Sequence, residues 1–366
     1  MTEKRPRPIE TSPFVRAPAA TPRDPVHNER MLIVDSHFHW WPKSVFEALC
    51  QREGYPRAER TAAGGYLYWR RAGEPPRFNA GPEWFDLDRQ LAHMDGLGHQ
   101  VKVVASIGPL SVHFSDLAVE EGRDVASLWN EEMANAQRRH PDRLWATAAV
   151  PLTRTEVAVE VLEHAIGTLG LVGANLPSSI GDDPHIEAPR LEPFYERAAA
   201  LGVPLFLHPT DAVFAEALSD FGGSLHLTLG RVIEVSVAAG RLILSGIMER
   251  HPELKIVMSH TGGFLPYQAG RLDKNSKAAR LGAAPTVFLK RMYTDTVSPH
   301  MPGIRFAIEY FGADHVMYGS DYPCWNPATA LQLFEEIGLP AQEREAILRT
   351  NVLRLIKADT HAAASG

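Results

Sequence analysis

Eight short apolar runs, many of them β-branched, alternate with stretches of helical periodicity from residue 31 onward, and this alternation limits what the chain can fold into. The runs cover 31–36, 101–107, 144–150, 171–176, 203–208, 255–260, 291–296 and 315–320. Between them, Leu87, Leu91, Met94 and Leu97 fall on one helical face. The segments 125–139, 156–169, 191–201 and 232–250 repeat that 3.6-residue spacing. Two of the joints share one chemistry, helix then His-Pro-acid then strand, at His140-Pro141-Asp142 and His251-Pro252-Glu253, where proline stops the helix. Strands that alternate with helices pair in parallel, and eight such units close on themselves. The expected fold class is therefore α/β, a (β/α)8 TIM barrel. Helices over 327–337 and 340–356 are expected to complete it.

Four of the runs end in residues that bind divalent cations: His37 and His39 after Ile33-Val34, His208 after Leu205-Phe206-Leu207, His260 after Ile256-Val257-Met258, and Asp321 after Val316-Met317. Parallel barrels place their active sites at the C-terminal ends of the strands. His37 and His39 are two apart, so on a strand they share a face. With His208 and Asp321 they make three imidazoles and one carboxylate around one ion. That set suits Zn²⁺ first, with Mn²⁺ or Fe²⁺ as alternatives.

Two segments interrupt the rhythm. Residues 43–85 carry Tyr55, Tyr66, Tyr68, Trp69, Phe78 and Trp84, and are expected to form an insertion over the barrel mouth after the first strand. Residues 270–290 form a second, basic and Ala-rich excursion. Residues 1–30 are rich in Pro, Arg and Thr and are expected to be a disordered N-terminal arm, leaving 31–366 as one domain. The formal net charge of −7 offers no footprint for nucleic acid, and no apolar run is long enough to span a bilayer. Two cysteines, Cys50 and Cys324, build no disulfide framework, and residues 1–30 lack the apolar core of a secretory signal. A cytoplasmic enzyme is expected, as a homodimer or higher oligomer, with a hetero-oligomer as the alternative.

The motifs His37-Phe38-His39, Phe206-Leu207-His208-Pro209, Ser259-His260-Thr261-Gly262-Gly263 with Leu265-Pro266-Tyr267 and Gly270-Arg271, and Gly319-Ser320-Asp321-Tyr322-Pro323 resemble those of the amidohydrolase-related family (amidohydrolase 2). That family contains aminocarboxymuconate-semialdehyde decarboxylase and the aromatic-acid decarboxylases, and the resemblance covers roughly 31–357. It implies that His37, His39, His208 and Asp321 hold one divalent metal, with Asp321 also catalytic. It implies that His260 is the acid/base beside metal-bound water. Arg77, in the insertion, is implied as the partner of a substrate carboxylate, with Arg70 and Arg71 competing for that role; a guanidinium suits a carboxylate through paired hydrogen bonds. The chain also departs from the pattern. Thr210 and Asp211 follow His208-Pro209 where the decarboxylase resembled most has a tryptophan, and Cys324-Trp325 follow the aspartate motif. A differently shaped substrate is expected.

Further candidates come from strand ends. His113 follows the second strand and Asn175 ends the fourth, both as substrate-binding residues. Asp295, ending the seventh, is expected to orient His260 or His208 through a hydrogen bond. Gly262 and Gly263 are expected to let backbone approach the substrate. The reaction expected first is metal-dependent, non-oxidative decarboxylation of a small carboxylic acid. Its neighbour is hydrolysis of an ester, lactone or amide on the same ligands. A third reading is a two-metal Mn/Fe hydroxylase using O₂ in a hetero-oligomer, with His113, Asp211 and Asp295 as additional ligands. A fourth is a non-catalytic partner subunit.

Overall fold

All eight expected runs form parallel strands, and three further strands lie in the insertion. The computed structural model describes residues 31–357 apart from 109, 111–115 and 216. The arm over 1–30 and His113 lie outside the described residues. The barrel strands are β1 (Leu32–His39), β5 (Gln100–Ser106), β6 (Leu144–Ala146), β7 (Ala174–Pro177), β8 (Pro204–His208), β9 (Lys255–Met258), β10 (Tyr293–Asp295) and β11 (Val316–Met317). They pair in the order β1-β5-β6 and β7-β8-β9-β10-β11. Parallel bridges join the two groups at Ala148–Ala174 and at Phe38–Tyr322. At the second seam Ser36 N donates to Tyr318 O, Asp321 N to His37 O and His39 N to Tyr322 O, at 2.9, 2.8 and 2.8 Å.

Alternate strand residues divide the apolar side chains between two cores. Ile33, Val101, Val103, Leu205, Leu207, Ile256 and Met258 pack outward among the helices. Val34, Val104, Phe206, Val257 and Met317 fill the barrel, together with Val352, Leu355 and Ile356 of the last helical segment. Above that inner layer the side chains turn polar, at Ser106, Asn175, His208, Ser259 and Asp295. In β1 the register slips between Asp35 and Phe38. Val34 faces the barrel, so strict alternation would point 36 and 38 inward. The bulge resets the count, Phe38 joins the outer core, and His37 and His39 face the mouth.

The helices follow the predicted spacing with shifted ends: α2 (Leu87–Asp95), α3 (Val119–Arg139), α4 (Thr155–Gly167), α5 (Glu192–Leu201), and later α11 (Pro327–Glu335), α12 (Ala341–Glu345) and α13 (Asn351–Leu355). The single helix expected over 232–250 is two, α6 (Arg231–Leu244) and α7 (Ile247–Arg250), because Gly246 takes φ 81° between them. The excursion over 270–290 holds α8 (Ala269–Asn275) and α9 (Pro285–Leu289), before α10 (Met301–Phe311). The segment over 43–85 is more regular than expected. After α1 (Lys43–Cys50) it forms an antiparallel sheet of β2 (Arg57–Arg60), β3 (Tyr66–Trp69) and β4 (Phe78–Ala80). Tyr66 and Tyr68 are buried on one face of β3 while Leu67 and Trp69 alternate with them. The segment returns to the barrel at Trp84, whose ring stacks on His39 with centroids 6.1 Å apart and on Trp41 at 4.1 Å.

Candidate metal centre

One donor atom from each of His37, His39, His208 and Asp321 lies within 4.8 Å of the other three, and all four residues are buried. Each imidazole is held in the same tautomeric sense. His37 Nδ1 meets Asp295 Oδ2 at 2.7 Å, His39 Nδ1 meets Ser106 Oγ at 3.0 Å, and His208 Nδ1 meets the Pro209 carbonyl at 2.8 Å. With the Nδ1 hydrogens given to these outer acceptors, all three rings present Nε2 lone pairs to one point. His37 Nε2 and His208 Nε2 are buried without a hydrogen-bond partner. His39 Nε2 lies 3.0 Å and His37 Nε2 3.4 Å from Asp321 Oδ1. Orphaned buried nitrogens cost free energy unless something satisfies them, and a divalent cation does so.

Charge points the same way. Burial disfavours a proton on His37, but Asp321 and Asp295 outweigh it and lift its pKa to about 10, so the cluster seeks positive charge. Burial lowers His39, and burial together with the neighbouring imidazoles of His39, His37 and His260 holds His208 well below the usual histidine range. Those two rings are neutral, the form that binds metal. Burial raises Asp321, yet the charge of His37 and the nearby rings of His260 and His39 keep its carboxyl well below the ordinary value. The residues present fit a single divalent ion.

The supporting residues explain why the strand ends hold still. Gly319 is required by close approach, since a Cβ there would lie 2.7 Å from His37 Cβ. Asp35 accepts from Ser320 N, Ser320 Oγ and His37 N at 3.0, 2.6 and 3.2 Å, binding the two ligand-bearing ends together. Burial raises the Asp35 pKa to about 6 against those hydrogen bonds. His260 and Asp321 both take left-handed backbone, φ 54° and 57°, a strained choice for non-glycine residues that recurs at functional sites.

His260 stands beside the four donors. Its ring centroid is 5.3 Å from that of His37 and 5.6 Å from that of His208, and its Nε2 lies 3.7 Å from Asp321 Oδ2. Its Nδ1 is buried with no hydrogen-bond partner. Asp295 meets the ring of His37 rather than that of His260 or His208; its Oδ1 accepts from Thr261 N and Val297 N. Asn175 lines a cavity beside His37 and His208. Its amide nitrogen is committed to Thr147 Oγ1 and Ala148 O, and its Oδ1 has no partner. Gly262 and Gly263 face protein rather than open site. A Cβ on Gly262 would meet the Phe311 ring at 3.1 Å, and one on Gly263 the Ser236 hydroxyl at 2.3 Å. Arg77 precedes β4 and donates its backbone N–H to Tyr68 O; no hydrogen bond or ion pair among the described residues joins its guanidinium to the four donors. Its competitors are engaged elsewhere: Arg70 is buried against Asp116 and Asp182, and Arg71 pairs with Asp182.

Sequence reasoning passed over Glu234, in the first turn of α6. Its carboxylate accepts six hydrogen bonds, from Ser178 Oγ, Thr210 N and Oγ1, Asp211 N, Ala212 N and Val213 N. It pins the loop that follows His208. The only signal was an acid inside an apolar helical pattern. Thr210, where the pattern has tryptophan, is fully buried by this network and offers no platform to a ligand.

A protein-family model described as amidohydrolase matches residues 34–357. The chain belongs to the amidohydrolase family. Gamma-resorcylate decarboxylase of a Rhizobium species (strain MTP-10005) is 29% identical over 289 residues, covering 74% of this chain and 87% of that one. Two solved structures show the same fold. The amidohydrolase chain described here superposes on 5-carboxyvanillate decarboxylase from Sphingomonas paucimobilis with TM-score 0.75 and 24% identity, covering 89% of this chain and 98% of that one. Dihydroxybenzoic acid decarboxylase from Polaromonas sp. JS666, with bound manganese and the inhibitor 2-nitroresorcinol, gives TM-score 0.72 and 22% identity, with 89% and 97% covered. Among the described residues no helix of this amidohydrolase is long and apolar enough to cross a membrane.

Proposed function

We propose that this amidohydrolase is a metal-dependent, non-oxidative decarboxylase of a small aromatic carboxylic acid. The observation that carries the reading is the likeness to a decarboxylase over nearly nine-tenths of that relative's length, in a chain whose four buried donors converge on one point. A divalent ion held by His37, His39, His208 and Asp321 supplies Lewis acidity and fixed positive charge for substrate oxygen atoms. The protein's own residues do the rest. Departure of CO₂ leaves an electron pair on the substrate carbon, which takes up one proton, so that R–COO⁻ and H⁺ become R–H and CO₂. His260 is buried, outside the donor set, with an unpartnered Nδ1, and is the side chain we assign to hold and deliver that proton. Its Nε2 lies 3.7 Å from Asp321 Oδ2, beside the donor set.

Three imidazoles and a carboxylate suit Zn²⁺; the manganese in the Polaromonas enzyme supports Mn²⁺ as the rival. Elemental analysis of protein purified without added metal separates them. Both carboxylates considered as ligands to a second metal for oxygen chemistry are engaged elsewhere. Asp295 is given to His37 and two backbone N–H groups, and Asp211 to Arg231. The exposed rings of Phe264, Tyr267 and Phe306 support self-association, which light scattering tests. The free thiols Cys50 and Cys324 support a reducing, cytoplasmic setting.

The test is CO₂ release from hydroxybenzoic acids, 2,6-dihydroxybenzoate first, by metal-loaded protein. Chelator and His208→Ala are each expected to abolish it. Absence of CO₂ from the whole panel, with metal-dependent cleavage of an ester or lactone by the same preparation, overturns the reading in favour of hydrolysis.

A further inference from the structure

Three residues beyond the ligand His208, Asp211 takes left-handed backbone (φ 57°) and is buried. Its carboxylate receives Nε and Nη2 of Arg231, the first residue of α6, at 3.1 and 3.0 Å, and His226 Nε2 lies 3.2 Å from the same Oδ1. The loop carrying Asp211 is the one that Glu234 pins. Asp211 is separated from the ligand His208 by only two residues, so the pair stands one short loop from the donors. Against its burial, the charge and hydrogen bonds of Asp211, and then the charge of Asp321, hold the Arg231 pKa above its ordinary value.

Asp211 occupies only one edge of that guanidinium. A guanidinium has five N–H groups in a fixed fork, and Nε with one N–H of Nη2 is the edge used here. Nη1 and the outer N–H of Nη2 meet no acceptor among the described residues. That end-on pair is the arrangement that grips a carboxylate through two parallel hydrogen bonds. The Arg231 side chain is 23% exposed while Asp211 is 8% exposed, so the cation is anchored on its buried side and reachable on the other. Of the three arginines named for a substrate carboxylate, Arg70 and Arg71 are already paired with aspartates, and Arg77 has no hydrogen bond or ion pair to the donors among the described residues.

The chemistry decides which acid it meets. A guanidinium on the carboxylate that leaves as CO₂ would stabilise a charge that the reaction removes, binding the ground state more than the transition state. A second acid that keeps its charge suffers no such conflict. We propose that Arg231 receives a second, non-reacting acidic group of the substrate, so that the natural substrate is a dianionic acid with one carboxylate at the metal centre. This rests on the decarboxylase reading for the first carboxylate.

Calorimetric titration of the full-length, manganese-loaded protein with unreactive probes tests it. Isophthalate and terephthalate are compared with benzoate. At least one dicarboxylate is expected to bind about tenfold tighter or better, a difference of about 1.4 kcal/mol. Arg231→Gln alone leaves a buried carboxylate unpaired and invites misfolding, so the variant is Arg231→Gln with Asp211→Asn, together with Arg231→Lys. The preference is expected to vanish in the double variant and to shrink in the lysine variant, which keeps charge without the fork, with both folds checked by circular dichroism. Equal affinity for mono- and dicarboxylates in the wild type, or a preference that survives in the folded double variant, overturns the proposal. An Arg231-dependent preference with no CO₂ release from any acid, mono- or dicarboxylic, and with metal-dependent cleavage of an ester or lactone, leaves this site standing and sinks the decarboxylase reading instead.

Discussion

Asp295→Asn probes the tuning of the metal centre without touching a ligand. In the wild type Oδ2 accepts from His37 Nδ1 at 2.7 Å, while Oδ1 accepts from Val297 N at 3.0 Å and Thr261 N at 3.2 Å. An asparagine cannot reproduce this. With its oxygen toward His37, its NH₂ faces two backbone donors. With its NH₂ toward His37, Nδ1 must become an acceptor, the proton moves to Nε2, and the lone pair meant for the metal is blocked. Loss of such an outer partner typically lowers metal affinity by about 10- to 100-fold, or about 1.4 to 2.8 kcal/mol. One effect opposes this. Asp295 is among the groups that raise the His37 pKa to about 10, so its removal eases loss of the proton that competes with metal. The net expectation is therefore the lower end, about tenfold. Competition against a chromophoric chelator measures it, with thermal melts of the metal-free proteins as the fold control. An affinity within about twofold of wild type, in a folded variant, would refute the tautomer argument.

Other outcomes follow from the same contacts. His260→Gln should lower kcat by about 10²- to 10⁴-fold while metal content stays at the wild-type ratio, since His260 lies outside the donor set; loss of metal in that variant would make it a ligand. Glu234→Ala should cost about 3 to 5 kcal/mol in chemical denaturation, because it strands the donors of the 210–213 loop; a cost under about 1 kcal/mol would show that the loop finds other acceptors. Glu192, hydrogen-bonded to Arg250 and His251, has its pKa lowered from 4.5 to about 2 despite opposing burial. Its stabilisation is thus complete above the unfolded value and lost as pH falls from 4.5 toward 2. Because Glu192 and Arg250 are 31% and 48% exposed, screening reduces the worth to about 1 kcal/mol. Glu192→Gln should flatten the stability profile in that window, and an unchanged slope would assign the acid loss to other carboxylates.

The barrel was readable because eight apolar runs alternate with helical spacing, and four of them, such as Leu205-Phe206-Leu207-His208, lead directly into a metal-binding residue. The donors His37, His39, His208 and Asp321 were readable for the same reason. What escaped depends on contacts that no local pattern encodes. The alternation Tyr66-Leu67-Tyr68-Trp69 spans four residues, too short to declare a strand against the flanking glycines and arginines. Gly246 sits inside an apolar helical pattern, and only its positive φ shows the break. Asp295 was recognisable as a supporting residue, but its partner on β1 lies 258 residues away, so the choice among histidines needed coordinates. Arg231 and Asp211, twenty residues apart across a loop, meet only because Glu234 folds that loop back onto α6.

The junction between β1 and β11 joins the two ends of the chain by only a few hydrogen bonds. Two donors, His37 and His39, sit on one side of it and Asp321 on the other. A bound cation therefore acts as a rivet across that seam. Loading the ion is expected to raise the melting temperature of the protein as well as to switch on its chemistry.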